Sequence, residues 1–92
     1  MSAYAEEKLG LAAEELRGNP DPKKLQHVLS RTLVAVTAND FPEKVRPRYE
    51  AIRSVLLRQG KLSDETVSGL SGEEVRQVWY GLREICREIL GR

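Results

Sequence analysis

The 92-residue sequence predicts an all-α fold, a small helical bundle of four to five helices, from three observations. Helix start and stop signals recur at regular intervals along the chain. Between them, apolar residues repeat every three or four positions, the spacing that lines one side of a helix. No six-residue alternation of β-branched residues argues for a strand, and no internal repeat or low-complexity segment appears.

The first helix is predicted over Ala3–Arg17, with Ser2 as N-cap and Gly18 placed to take the left-handed conformation that closes a helix. Its core stripe is Ala5, Leu9, Ala12, Ala13 and Leu16, and the alanines allow a close neighbour. Asn19-Pro20 makes a turn. Asp21-Pro22 then reads as an N-cap followed by proline at the first helical position, where its missing N–H costs nothing. The second helix runs from there to about Ala38, burying Leu25, Val28, Leu29, Thr32, Leu33 and Val36.

Asn39 to Pro42 breaks the chain. Asp40 and Glu43 offer a reciprocal cap, but Pro47 inside a helix begun there would delete a hydrogen bond and clash with the preceding turn. A turn over Pro42–Val45 followed by a helix over Pro47–Gln59 avoids this, with Tyr49, Ile52, Val55 and Leu56 inward and Gly60 as terminator. Leu62-Ser63 with Val67 marks a short helix near Asp64–Ser68 by a hydrophobic staple across a serine cap. Leu70-Ser71 with Glu74 and Val75 repeats that pattern with a full Ser-x-x-Glu box and opens a long last helix, Gly72–Leu90. That helix buries Val75, Val78, Trp79, Leu82, Ile85, Cys86, Ile89 and Leu90.

Composition sets the frame for function. With 40% hydrophobic and 32% charged residues, the chain has the apolar content of one globular domain spanning 1–92. Fifteen Lys and Arg against fourteen Asp and Glu leave a net charge of +1, so the whole molecule has no strong field for nucleic acid or anionic lipid. The amino terminus has neither a basic nor an apolar signal region, and the longest uncharged stretch, Thr32–Asn39, is far below the ~20 residues of a membrane span. A single cysteine, Cys86, fits a reducing compartment, so a cytoplasmic protein without membrane contact is expected.

Residues for chemistry are sparse. Nucleophilic catalysis needs an activated Ser or Cys beside a base, yet His27 is the one histidine and lies off the core stripe, while Cys86 points inward among apolar residues. Structural zinc wants four Cys or His ligands, which the chain does not supply. Asp64-Glu65 and Glu73-Glu74 occupy helix first turns, where the dipole favours them, and Glu6-Glu7 and Glu14-Glu15 lie on the solvent side. No glycine-rich phosphate loop exists. No catalytic residue, cofactor or metal is therefore expected, and the protein is read as not an enzyme.

Three surface features stand out. Tyr4 and Leu11, seven residues apart, share a helix side away from the core stripe and are flanked by Glu7 and Glu14, as in a partner-binding spot or in ordinary terminal packing. In the last helix Arg76, Tyr80, Arg83 and Arg87 fall on one flank, with Glu73, Glu84 and Glu88 on the next. Arg and Tyr together are typical interface anchors, although the pairs Glu73–Arg76 and Glu84–Arg87 would also explain a solvated flank. Third, the segment 42–61 holds six bases, Lys44, Arg46, Arg48, Arg53, Arg58 and Lys61, against Glu43 and Glu50, a local net charge of +4. Those bases are spread around three sides of a helix without interleaved aromatics, and Arg46, Glu50 and Arg53 can neutralise one another.

The run Asn39-Asp40-Phe41-Pro42-Glu43-Lys44-Val45-Arg46-Pro47-Arg48-Tyr49-Glu50-Ala51-Ile52, followed by a capped short helix and an amphipathic last helix, resembles a group of small uncharacterised bacterial helical proteins. Those share an acid, aromatic, Pro, Glu and Arg-x-x-aromatic-Glu run between their middle helices; Pro47 departs from it. The resemblance implies a bacterial cytosolic helical protein and carries no activity or site.

Two functions of different class follow. The first is a helical protein–protein interaction or regulatory module, as a homodimer or with another protein as partner, using Tyr4 and Leu11 or the Arg76, Tyr80, Arg83, Arg87 flank. The alternative is an accessory nucleic-acid binder using the basic segment. A weaker third is a bundle that holds a small apolar molecule near Trp79 and Tyr49.

Overall fold

A computed structural model describes residues 3–32, 36–59 and 65–91. The all-α expectation holds: the described residues contain four α-helices and several short helical turns, and no strand. The helices are α1 (Ala3–Glu15), α2 (Pro22–His27), α3 (Arg46–Leu56) and α4 (Gly72–Leu90). Helix α4 packs against α3 on one side and α1 on the other, so the first and last helices are neighbours. They run antiparallel, because Cys86 Sγ donates to the Leu9 carbonyl at 3.7 Å while Arg83, earlier in α4, reaches the carbonyl of Gly18.

The caps explain the clean boundaries. Gly18 takes φ +78° just past α1, a conformation that suits glycine. Asp21 Oδ1 accepts from the backbone N–H groups of Lys23 (2.9 Å) and Lys24 (3.4 Å), and Pro22 opens α2. At α4 the Ser71 hydroxyl accepts from Glu74 N–H at 3.1 Å and the Glu74 carboxylate accepts from Ser71 N–H at 2.9 Å, the reciprocal box the sequence predicts. Gly91 ends α4 at φ +71°.

The second helix is shorter than predicted. Its α-helical part stops at His27, the turn widens into a π-helical stretch over Val28–Thr32, and Thr37 is already extended at φ −110°. The Thr32-Leu33-Val34-Ala35-Val36-Thr37 run is rich in β-branched residues, which restrict helical rotamers, and Asp40 gives the backbone an alternative partner. Its Oδ2 accepts from Thr37 N–H at 2.9 Å and starts a 3₁₀ turn, Ala38–Asp40. Asp40 therefore caps that turn and forms no reciprocal cap with Glu43.

Helix α3 starts one residue before the predicted Pro47, which sits in the first turn after a turn closed by Val45 N–H to the Pro42 carbonyl at 2.9 Å. It tightens to a 3₁₀ turn, Leu57–Gln59, at its end. The helix expected near Asp64–Ser68 is a 3₁₀ turn over Val67–Gly69, anchored where Gln26 Oε1 accepts from Val67 N–H at 2.9 Å. The Leu62–Val67 staple, Leu33, and the terminating Gly60 lie outside the described residues.

One contiguous core joins all four helices. Trp79, Tyr49 and Phe41 are its largest fully buried side chains, Phe41 meeting Tyr49 edge-on at 4.4 Å. The Val36 carbonyl accepts from both Tyr49 Oη (2.8 Å) and Arg53 Nη1 (3.0 Å), which ties the chain at Val36 to α3. Burial pushes the Tyr49 hydroxyl pKa up, partly opposed by Arg53. Gly81 of α4 faces α3, where an added Cβ would stand 2.9 Å from Ile52 Cδ1 and the Ile52 side chain would have to shift.

Candidate functional site

The amphipathic pattern of α1 and α4 leaves polar and apolar groups on their outward sides. Among the described residues the large hydrophobics that stay exposed are Tyr4 (48%), Leu11 (50%) and Tyr80 (45%), and all three lie on these two helices. Tyr4 carries Lys8 Nζ over its ring at 5.5 Å, and Tyr80 carries the Arg83 guanidinium at 5.8 Å. Both aromatics thus combine an apolar face with a cation.

The predicted arginine flank of α4 divides. Arg83 and Arg87 line a cleft of about 220 Å³ between α1 and α4, together with Arg17 and Glu14. Arg76 instead lines a larger groove of about 540 Å³, beside Pro20, Pro22, Val67, Leu70 and Val75. Of the two ion pairs foreseen on α4, Glu84–Arg87 forms at 3.8 Å, and Glu73–Arg76 does not form among the described residues. Arg83 Nη1 lies 3.5 Å from the Gly18 carbonyl, where it covers the end of α1. Arg17 holds Glu14 at 3.2 Å.

Four arginines of the basic segment have partners within the chain. Arg46 Nε donates to the Phe41 carbonyl at 3.0 Å, Arg53 to the Val36 carbonyl, and Arg48 pairs with Glu88. Arg58 grips Glu74 with two hydrogen bonds, 2.5 and 3.1 Å. Among the described residues no ion pair joins Glu50 to Arg46 or Arg53. Lys44 is exposed, and Lys61 lies outside the described residues. The Arg58 guanidinium and the Ser71 cap hold the Glu74 carboxyl at about 2, well below the ordinary carboxylate range, and the Arg58 pKa rises in return.

Other reactive groups are quiet. His27 is exposed, with Nδ1 3.6 Å from Glu15 Oε2, a contact between α2 and α1 that the sequence did not announce. Burial pushes the Cys86 thiol up to about 11, so it stays protonated at neutral pH and is no nucleophile. No group of three or more His, Cys, Asp or Glu that could hold a metal ion occurs among the described residues, and no helix there is long and apolar enough to cross a membrane. Trp79 is fully buried, its Nε1 without an acceptor among the described residues, and neither it nor Tyr49 lines the clefts described here.

Arg17 escaped the sequence reading as a site residue, and Glu14 enters it only as an acid flanking Tyr4 and Leu11, not as part of a cleft between α1 and α4. The only signal for them is tertiary: they lie on the flank of α1 that faces α4 once the two helices pair antiparallel. Comparison of the chain with protein-family models, with curated proteins and with solved structures gives no match.

Proposed function

We propose that this protein is a non-enzymatic helical interaction or regulatory module of the cytoplasm that self-associates through the outward face of α1 and α4. The observation that carries this reading is the placement of Tyr4, Leu11 and Tyr80, the described exposed large hydrophobics, on two helices packed together. Charges of both signs accompany them: Glu7 and Glu14 on α1, Arg83 and Arg87 on α4. A two-fold symmetric contact uses the same patch on both subunits, so a patch that pairs with itself must offer both members of each charge pair. Tyr and Arg are the residue types that most often anchor such contacts.

The map of contact is the test. Amide resonances of the full chain, followed from dilute to high micromolar concentration, should shift around Tyr4, Leu11, Tyr80, Arg83 and Arg87. Shifts confined to α3, or none at all, would reject the face.

The alternative, an accessory nucleic-acid binder, rests on the +4 charge of residues 42–61. The bonds of Arg46 and Arg53 to the backbone carbonyls of buried Phe41 and Val36 weigh against it, because a guanidinium held there must be released before it serves a phosphate. Affinity for DNA falling steeply with salt would support it.

A further inference from the structure

The cleft between α1 and α4 gathers three guanidiniums around one small volume. Arg17 enters just beyond the end of α1, and Arg83 and Arg87 stand one turn apart on α4. Glu14 is the acid in the lining, which leaves a formal +2 from three cations and one anion. None of the three is tightly held. Arg17 and Glu14 meet at 3.2 Å with both side chains exposed, Arg87 and Glu84 at 3.8 Å, and Arg83 and the Gly18 carbonyl at 3.5 Å. Each guanidinium has five donors, so most of them remain for another acceptor, and one group that meets several cations together outcompetes single exposed pairs.

The rest of the lining is apolar. Ala13, Leu16 and Cys86 form the floor, and the volume of about 220 Å³ suits a group of a few carbon atoms. Glu14 itself displays the fitting chemistry, a carboxylate on a short methylene stem placed against Arg17. The carbonyl ends of α1 disfavour an anion nearby, and Arg83 offsets this where it covers Gly18.

We propose that this cleft is a binding site for a small organic oxyanion, a carboxylate or phosphate held by Arg17, Arg83 and Arg87 with a short apolar stem on Ala13, Leu16 and Cys86. All of these contacts come from one chain, so the site is complete in the monomer, and self-association through the same Arg83 and Arg87 would compete with it.

Titration of the isotope-labelled full chain, at dilute concentration, with butyl phosphate, butyrate and inorganic phosphate to about 20 mM covers the affinity range of such small ligands. The guanidinium Nε–Hε resonances of Arg17, Arg83 and Arg87 should shift saturably with butyl phosphate, more weakly with inorganic phosphate, and with an affinity that falls as salt rises. Arg17→Gln and Arg87→Gln, both exposed and clear of the core, should each weaken butyl phosphate by roughly tenfold, the scale of one charge-assisted hydrogen bond. Glu14→Gln should strengthen it by removing the competing carboxylate, and Arg76→Gln should leave it unchanged. An absence of saturable shifts, equal binding by the Arg17→Gln, Arg87→Gln double variant, or weaker binding by Glu14→Gln would overturn the site.

Discussion

At the scale of single residues, Glu74 joins a helix cap to a tertiary ion pair, and its chemistry predicts an acid response. Its carboxyl, about 2 in the folded chain, is ordinary when unfolded, so the charged form favours the fold. That contribution is fully present above the unfolded value of about 4.3 and disappears as pH falls through the folded one. Thermal melts of wild type and Glu74→Gln should therefore differ at neutral pH and converge as the pH drops toward 2; a gap that persists at the lowest pH would contradict the assignment. Ser71→Ala removes the other half of the box and should cost about 1 kcal/mol. Cys86 gives a second residue-level readout. Buried and pushed up to about 11, it should resist alkylation at pH 8 in the native state and react once denaturant unfolds the chain. Rapid native alkylation would place the thiol at the surface.

At the scale of elements, glycines separate what a helix wants from what packing permits. Gly10 lies inside α1 with nothing within 4 Å of an added Cβ, so Gly10→Ala should stabilise by about 0.5–1 kcal/mol, raising Tm by several degrees. Gly18→Ala has equal space but must hold φ +78°, and should lower Tm. Calorimetry of the two variants checks the opposite signs. The same elements show why some boundaries were legible and others were not. The start of α4 matches the expectation because Ser71 and Glu74 are local signals acting within a few residues, and Gly91 closes the helix. The second helix was read too long, because its apolar stripe of Leu25, Val28, Leu29, Thr32 and Val36 continues past the place where the backbone leaves the α-helix. The stripe reports burial, and Val36 is indeed buried, but as a carbonyl acceptor for Tyr49 and Arg53. Phe41 was placed in a break, yet it is a core residue, since a turn can insert one aromatic without any helical period.

At the scale of the molecule, the sequence divides into acidic ends and a basic middle, and the fold lays one on the other. Arg48 of α3 pairs with Glu88 and Arg58, just beyond α3, pairs with Glu74, so two bases of the middle segment meet acids of α4 inside the same chain. Both pairs are partly exposed and screened by salt. Wild-type Tm should then fall as salt rises from low to moderate, and an Arg48→Gln, Arg58→Gln variant should show a flatter response. Individual interface candidates were legible, because Tyr4, Leu11 and Tyr80 break the core stripe of an otherwise regular helix. The cleft was not, because Arg17 and Arg83 are far apart in sequence and meet only through the antiparallel pairing of α1 and α4. That pairing leaves Tyr4 and Leu11 exposed on α1 and Tyr80 exposed on α4, and self-association through these residues is the central claim. Sedimentation velocity on wild type and Tyr80→Glu, from dilute to high micromolar concentration, tests it most directly. The expected result is a wild-type sedimentation coefficient that rises toward a dimer and a Tyr80→Glu protein that stays monomeric; a wild type that remains monomeric throughout, unaffected by the substitution, would contradict it.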